Sequence, residues 1–174
     1  MNTTALDSLY ERRSIRAYKK EQITDEELYA VLKAGQYAPT GKNRMPTKFV
    51  VIQEPELLAR LSEWNGSIMG SDSDPFYGAP TAVLVLADST VPTYMDDGAL
   101  AMGNLMNAAY AAGLGSCWIN RAREMFESSE GKALLREWGL PETMEATGFC
   151  ILGYADCSLP EPSPRRDDQI IMIR

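Results

Sequence analysis

The sequence predicts an α+β domain, a short and mostly antiparallel sheet wrapped by helices. Two patterns predict it. Four apolar runs of strand length lie at 48–53, 81–87, 116–120 and 144–154, bounded by turn-forming residues. Between them, apolar residues recur every three or four positions, with helix start and stop signals at the ends. The length, 174 residues, suits a single domain, 1–174, with a substantial core. There is no internal repeat and no low-complexity tract.

Taken in order, residues 3–13 read as a first helix with Leu6, Leu9 and Tyr10 on one face. Thr24-Asp25-Glu26-Glu27 is a capping box, in which threonine caps and Glu27 reaches back. The helix it opens turns Leu28, Val31 and Leu32 inward and stops at Gly35. Residues 37–46 form a loop with two prolines, a glycine and an asparagine. The strand at 48–53 centres on Phe49-Val50-Val51-Ile52. Pro55 starts another helix, which carries Leu57, Leu58 and Leu61. Residues 65–80, punctuated by Gly66, Gly70 and Gly78, read as loop, and 81–87 as a second buried strand.

A long helix is expected from about 95 to 113. Its residues are mostly small or apolar (Ala99, Ala101, Gly103, Ala108, Ala109), and a helix apolar nearly all round is a buried one. Small residues also admit a second backbone, so a partner helix from a second copy is expected there. Asp96 and Asp97 at its start complement the helix dipole. Residues 116–120 form a third strand. A helix runs from 127 or 128 to Trp138 and ends at Gly139, and 144–154 is the fourth strand. The connector 160–164 is proline-rich and extended. It leads to Ile170-Ile171-Met172-Ile173, a short apolar strand that needs a sheet edge to join.

The net charge of −7 argues against nucleic acid and anionic membranes as partners. Cys117, Cys150 and Cys157 form no Cys-x-x-Cys pair and read as reduced thiols rather than a disulfide frame or metal site. No signal peptide and no run of membrane-spanning length is visible, so a cytoplasmic location is expected. Histidine is absent. That excludes Ser-His-Asp and Cys-His catalysis, removes the commonest transition-metal ligand, and directs any difficult chemistry to a bound cofactor. No Gly-x-Gly-x-x-Gly or Walker pattern supports a Rossmann-type nicotinamide site.

Arg12, Ser14 and Arg16 alternate, so in an extended segment they point the same way. Two guanidinium forks and a hydroxyl fit phosphate oxygens. Arginines at a helix end also favour the C-terminal dipole, and the residues alone leave both readings open. Asn43 is either a ligand amide or a turn asparagine bonding its own backbone. Cys117 reads as a buried, inert thiol.

Arg12-Arg13-Ser14-Ile15-Arg16-Ala17-Tyr18 resembles the opening motif of the flavin-dependent nitroreductase family. The likeness continues in Ala38-Pro39-Thr40-Gly41-Lys42-Asn43-Arg44-Met45-Pro46, in Gly113-Leu114-Gly115-Ser116-Cys117-Trp118 and in 148–153, covering nearly the whole chain in order. It implies a nitroreductase-like fold whose C-terminal strand is exchanged between protomers of a homodimer. It implies FMN, with Arg12, Arg13, Ser14, Arg16 and one of Arg165 and Arg166 about the phosphate. Arg13, adjacent in an extended segment, points away and is the weaker member. Pro39, Thr40 and Asn43 of the second subunit, and the Gly115-Ser116-Cys117 strand, would line the ring. Asn120, Arg121 and Met45 would face the substrate. Met45 departs from the glutamine of many relatives and cannot bond as glutamine does.

The implied activity is ping-pong transfer of a hydride from NAD(P)H, through flavin N5, to a nitroaromatic, quinone or enone. No catalytic side chain and no metal is expected. Rival readings are an FMN-binding or storage protein without turnover, a flavin-dependent dehalogenase or flavin-fragmenting enzyme of the same fold, and a structural dimer that has lost flavin.

Overall fold

The computed structural model describes residues 5–71 and 73–174. Among the described residues six α-helices and four strands follow in the order α1 (Ala5–Glu11), α2 (Asp25–Gln36), β1 (Thr47–Ile52), α3 (Pro55–Met69), β2 (Thr81–Asp88), α4 (Tyr94–Ala111), β3 (Gly115–Ile119), α5 (Ala122–Glu127), α6 (Ser129–Glu137) and β4 (Met144–Gly153). The strands form one sheet in the order β1-β2-β4-β3, with every neighbouring pair antiparallel. Residues 3 and 4, expected in the first helix, lie outside the described residues.

The sheet has an apolar core on each face. Leu84 and Leu86 of β2 point to one face, with Leu61, Phe126, Leu135 and Phe149. Val83 and Val85 point to the other, with Met102, Leu105, Cys150 and Leu152. Burial on both faces explains why β2 reads as an unbroken apolar run although its partners are antiparallel. The capping box of α2 forms: Thr24 Oγ1 accepts from Glu27 N, and a Glu27 carboxylate oxygen accepts from Thr24 N at 2.8 Å.

Two expectations need correction. The loop expected from residue 65 begins late, because α3 runs to Met69. Asn65 and Gly66 are buried in it, and a side chain at Gly66 would crowd the Ser71 carbonyl at 3.0 Å. The helix stops at Gly70, whose φ of +66° makes the left-handed cap. Helix α5 is additional; Ala122, Met125 and Phe126 are its buried stripe.

The long helix α4 is not buried all round in the chain. Ala101, Met102, Leu105 and Ala109 pack inward, while Met95, Ala99 and Leu100 face outward. A Cβ on Gly103 would meet only open space. Residues 170–173 form no strand in the single chain. Ile170, Ile171 and Ile173 are 79%, 85% and 95% exposed, and β1 has one strand neighbour, leaving its outer edge unpaired among the described residues.

Candidate functional site

The segment after α1 is extended and stitched to the sheet. Ile15 N donates to Ser116 O at 3.0 Å, and Lys19 N to Tyr154 O at 2.9 Å. Ser14 bridges Ser116 in parallel and Tyr18 bridges Ala155 antiparallel. Ile15 and Tyr18 are the buried pins, and Arg12, Ser14 and Arg16 have the parity opposite to Ile15. Glycine at 115 permits this close approach, since a Cβ there would meet Ile15 at 3.1 Å.

The two adjacent arginines divide the two readings. Arg13 Nη1 donates to Tyr10 O at 2.9 Å and Arg12 O at 2.8 Å, so Arg13 closes the helix end. Arg12 Nη1 is shielded from solvent and has no hydrogen-bond partner among the described residues. The same holds for Arg13 Nε, Ser116 Oγ and Trp118 Nε1. Four of the five such atoms among the described residues therefore lie on this segment or on β3. Each orphaned polar atom costs on the order of 1–3 kcal/mol, so their concentration marks a place where a hydrogen-bonding ligand is owed. All four can donate, which suits an anion. The nearby Glu11 carboxylate is engaged, accepting from Tyr110 OH at 2.8 Å.

Cys117 turns its side chain into the core beside α5, so only its backbone can serve a ligand. Cys150, on the other face, has its thiol pushed up to about 12, chiefly by burial and then by Cys117. The Arg12 guanidinium pulls the other way.

A second group of predicted residues lies on the loop between α2 and β1. Lys42, Asn43 and Met45 have φ of 53°, 55° and 48°. Three left-handed non-glycine residues in four positions are a store of strain of about 1–3 kcal/mol each, and such strain gathers at binding sites. Thr40 holds the loop together, its Oγ1 accepting from Met45 N at 3.1 Å and its carbonyl from Asn43 N at 3.0 Å. The loop is tied to α4 by Gly41 N, which donates to Asp97 Oδ1 at 2.9 Å. Pro39, Asn43 and Met45 are exposed.

Asn120 and Arg121 border a cleft of about 290 Å³ with Met95, Arg123, Glu124 and Thr147. Arg121 has φ +73° and pairs with Glu124 at 2.9 Å. Asn65 Nδ2 donates to Asn120 O at 2.7 Å and fixes the exit of β3. A larger cleft of about 870 Å³, lined by Leu58, Ser62, Phe76 and Pro80, contains none of the predicted site residues. Arg165 and Arg166 lie on the exposed tail, where Arg166 pairs with Asp168 at 2.7 Å.

The chain thus brings Arg12, Ser14, Arg16 and the Gly115-Ser116-Cys117 strand together, and Pro39, Thr40, Asn43 and Met45 together elsewhere. The first group sits by Tyr110 at the C-terminal end of α4, and the second by Asp97 at its N-terminal end. At 1.5 Å per residue the two anchors are about 20 Å apart along the helix. Asp97 and Asn65 are the residues that sequence reasoning missed. Asp97 was legible only as a helix-start acid, and Asn65 as a loop residue.

The sequence matches the Nitroreductase family over residues 9–72 and 67–154. An Archaeoglobus fulgidus protein provisionally named an NADH dehydrogenase/NAD(P)H nitroreductase is 32% identical over 155 residues, covering 86% of this chain and 84% of its own. The crystal structure of a Bacteroides fragilis nitroreductase with bound FMN superposes with a TM-score of 0.88 at 30% identity, covering 98% of each chain. An iodotyrosine deiodinase of Thermotoga neapolitana is 28% identical over 130 residues, covering 63% of this chain and 70% of its own.

Proposed function

The chain belongs to the nitroreductase family, and from that premise we propose that it is an FMN-dependent NAD(P)H oxidoreductase working as a homodimer. The observation that carries this reading is the pair of shielded donors at Arg12 Nη1 and Ser116 Oγ, unbonded among the described residues. A phosphate dianion would satisfy them, and the cationic segment is a local exception in a chain of net charge −7.

Arg12, Ser14 and Arg16 would hold the phosphate, aided by Ser116 Oγ and by Arg165 or Arg166. The backbone of Gly115, Ser116 and Cys117 would run beneath the ring. Bound FMN supplies the two-electron relay between a nicotinamide and an acceptor, the part of the chemistry that a chain without histidine lacks. The residues of the chain then bind and orient. Asn120 and Arg121 border the space for the acceptor, a nitroaromatic, quinone or enone, and Met45 gives that space an apolar, non-bonding edge.

The separation along α4 supports the homodimer reading. One ligand cannot touch both residue groups of the same chain if it is much shorter than about 20 Å. A two-fold axis packing α4 antiparallel to its copy sets the N-terminal end of one beside the C-terminal end of the other. The open stripe of α4, with Ala99 and Gly103, supplies the contact surface. Pro39, Thr40 and Asn43 would then reach the ring held by the other copy. The tail would exchange in the same dimer, 170–173 joining the free edge of β1.

Anaerobic titration of the FMN-loaded protein with NADPH and with NADH tests the reading. Prompt bleaching of the visible flavin band, reversed by a quinone or nitroaromatic, is expected. Flavin that stays oxidised under both nicotinamides leaves an FMN carrier. An iodinated phenol as acceptor covers the dehalogenase reading, which the Thermotoga likeness favours over part of the chain. Release of iodide with no quinone turnover would select it.

A further inference from the structure

Asp97 is 2% exposed and lies in the first turn of α4, yet it does not cap its own helix. Its Oδ1 accepts from Gly41 N at 2.9 Å and its Oδ2 from Thr93 Oγ1 at 2.8 Å. Both oxygens therefore face the loop and the residue beneath it, and Thr93 itself makes no side-chain cap. Gly41 is pressed onto the same spot, because any Cβ there would collide with Thr93 Oγ1. Immediately after Gly41 the backbone turns left-handed at Lys42 and Asn43 and again at Met45. Unsupported, a run of non-glycine residues at positive φ relaxes. Among the described residues its other bonds are internal, through Thr40 and Gly41, apart from Pro46 O just before β1, which accepts from Asp88 N at the end of β2.

We propose that Asp97 is a positioning residue for the coenzyme ring: it clamps the strained loop 40–45 of one copy in the shape that receives the ring bound by the other. The proposal rests on the FMN reading above. A carboxylate acting only on the α4 dipole would not matter to the loop or to a ligand. The clamp depends on geometry rather than charge. An asparagine can accept from Gly41 N through its carbonyl and donate to Thr93 through its amide, so Asp97→Asn should rescue what Asp97→Ala loses.

The test compares the intact protein with Asp97→Ala and Asp97→Asn by two measurements. Amide hydrogen exchange, without flavin, reads the loop directly. Exchange in 38–46 should rise about tenfold in Asp97→Ala, on the scale of one hydrogen bond. It should return in Asp97→Asn, with 81–88 and 144–153 unchanged in both. Fluorescence titration with FMN and with riboflavin separates ring from phosphate. Both affinities should fall by the same factor, about tenfold, in Asp97→Ala.

Unchanged loop exchange overturns the clamp. A loosened loop with unchanged affinities, or a loss confined to FMN, overturns its role toward the ring. If Asp97→Ala does not fold, Gly41→Ala displaces the same loop against Thr93 and is held to the same outcomes. Wild-type protein that takes up neither ligand refutes the FMN reading and with it the ring half of this proposal, and exchange then still decides the clamp.

Discussion

Arg12 and Arg13 are neighbours with opposite debts. Arg13 spends its Nη1 on two carbonyls at the end of α1, so Arg13→Ala should lower the melting temperature of the flavin-free protein. Arg12 Nη1 is shielded and unbonded, so Arg12→Ala should leave that melting temperature level or raise it. The same change should weaken FMN binding by about 1.5–3 kcal/mol, the range for a hydrogen bond to a charged group. Thermal melts and flavin titrations read the two effects separately. A stabilised ligand site and a destabilised apo-protein are the same residue seen from two states. Glu27 makes the contrasting case, a residue whose role lies wholly in the fold. It accepts from Thr24 N at 2.8 Å and from Tyr154 OH at 2.7 Å, which hold its carboxyl below the usual glutamate value, the Thr24 bond first, and push the Tyr154 phenol up. A carboxyl with a folded pKa below its unfolded one binds fewer protons in the folded state. Its stabilisation is present above about pH 4.3 and fades as pH falls through the depressed value. The urea stability difference between wild type and Glu27→Gln should therefore be largest near neutrality and shrink on acidification below that pH. A difference that grows in acid would contradict the assignment.

At the level of elements, glycine decides where two backbones or a ring can meet. A Cβ at Gly148 would collide with the Trp118 indole across β4 and β3, so Gly148→Ala should cost about 1–3 kcal/mol of urea stability, as overpacking does. Gly103, facing open space on α4, should respond in the other direction. Gly103→Ala should gain up to about 1 kcal/mol of helix propensity in the isolated chain while weakening self-association, because it thickens the stripe meant for a second copy. Stability to urea and sedimentation at falling concentration check the pair. These elements also show how far sequence carries. Strands β1 to β4 were legible because burial on one or both faces writes itself as apolar runs, and α2 because its cap needs Thr24 and Glu27 three apart. The end of α3 was not, because Asn65 and Gly66 resemble breakers and are in fact packing residues. Six-residue α5 fell below the length at which a period stands out, although Ala122, Met125 and Phe126 carry one. For α4 the apolar pattern records burial without saying against what, and in the chain only one stripe is covered.

Across the whole molecule, the residue types of the candidate site were readable and their assembly was not. Arginine and serine at alternate positions suit an anion, although a helix end suits the arginines as well. Nothing in their order says that Glu11, next to Arg12, ends on Tyr110 and Gly41, two residues before Asn43, on Asp97, at opposite ends of one helix. Nor could the Gly41–Asp97 bond, joining residues 56 apart, leave a local pattern. The exposed apolar tail and, among the described residues, the unpaired edge of β1 are likewise features that no local pattern pairs with one another. The claim on which the account turns is that each FMN is held by Arg12 of one copy and the loop at Gly41 of the other. The direct measurement is FMN stoichiometry in a mixed dimer, isolated through two tags, of one chain carrying Arg12→Glu and another carrying Gly41→Val. Each variant alone should bind FMN poorly. In the mixed dimer both defects fall in one site, so the account predicts one FMN per dimer at wild-type affinity. A mixed dimer that binds no better than its parents would mean that each site is built within a single chain, contradicting it.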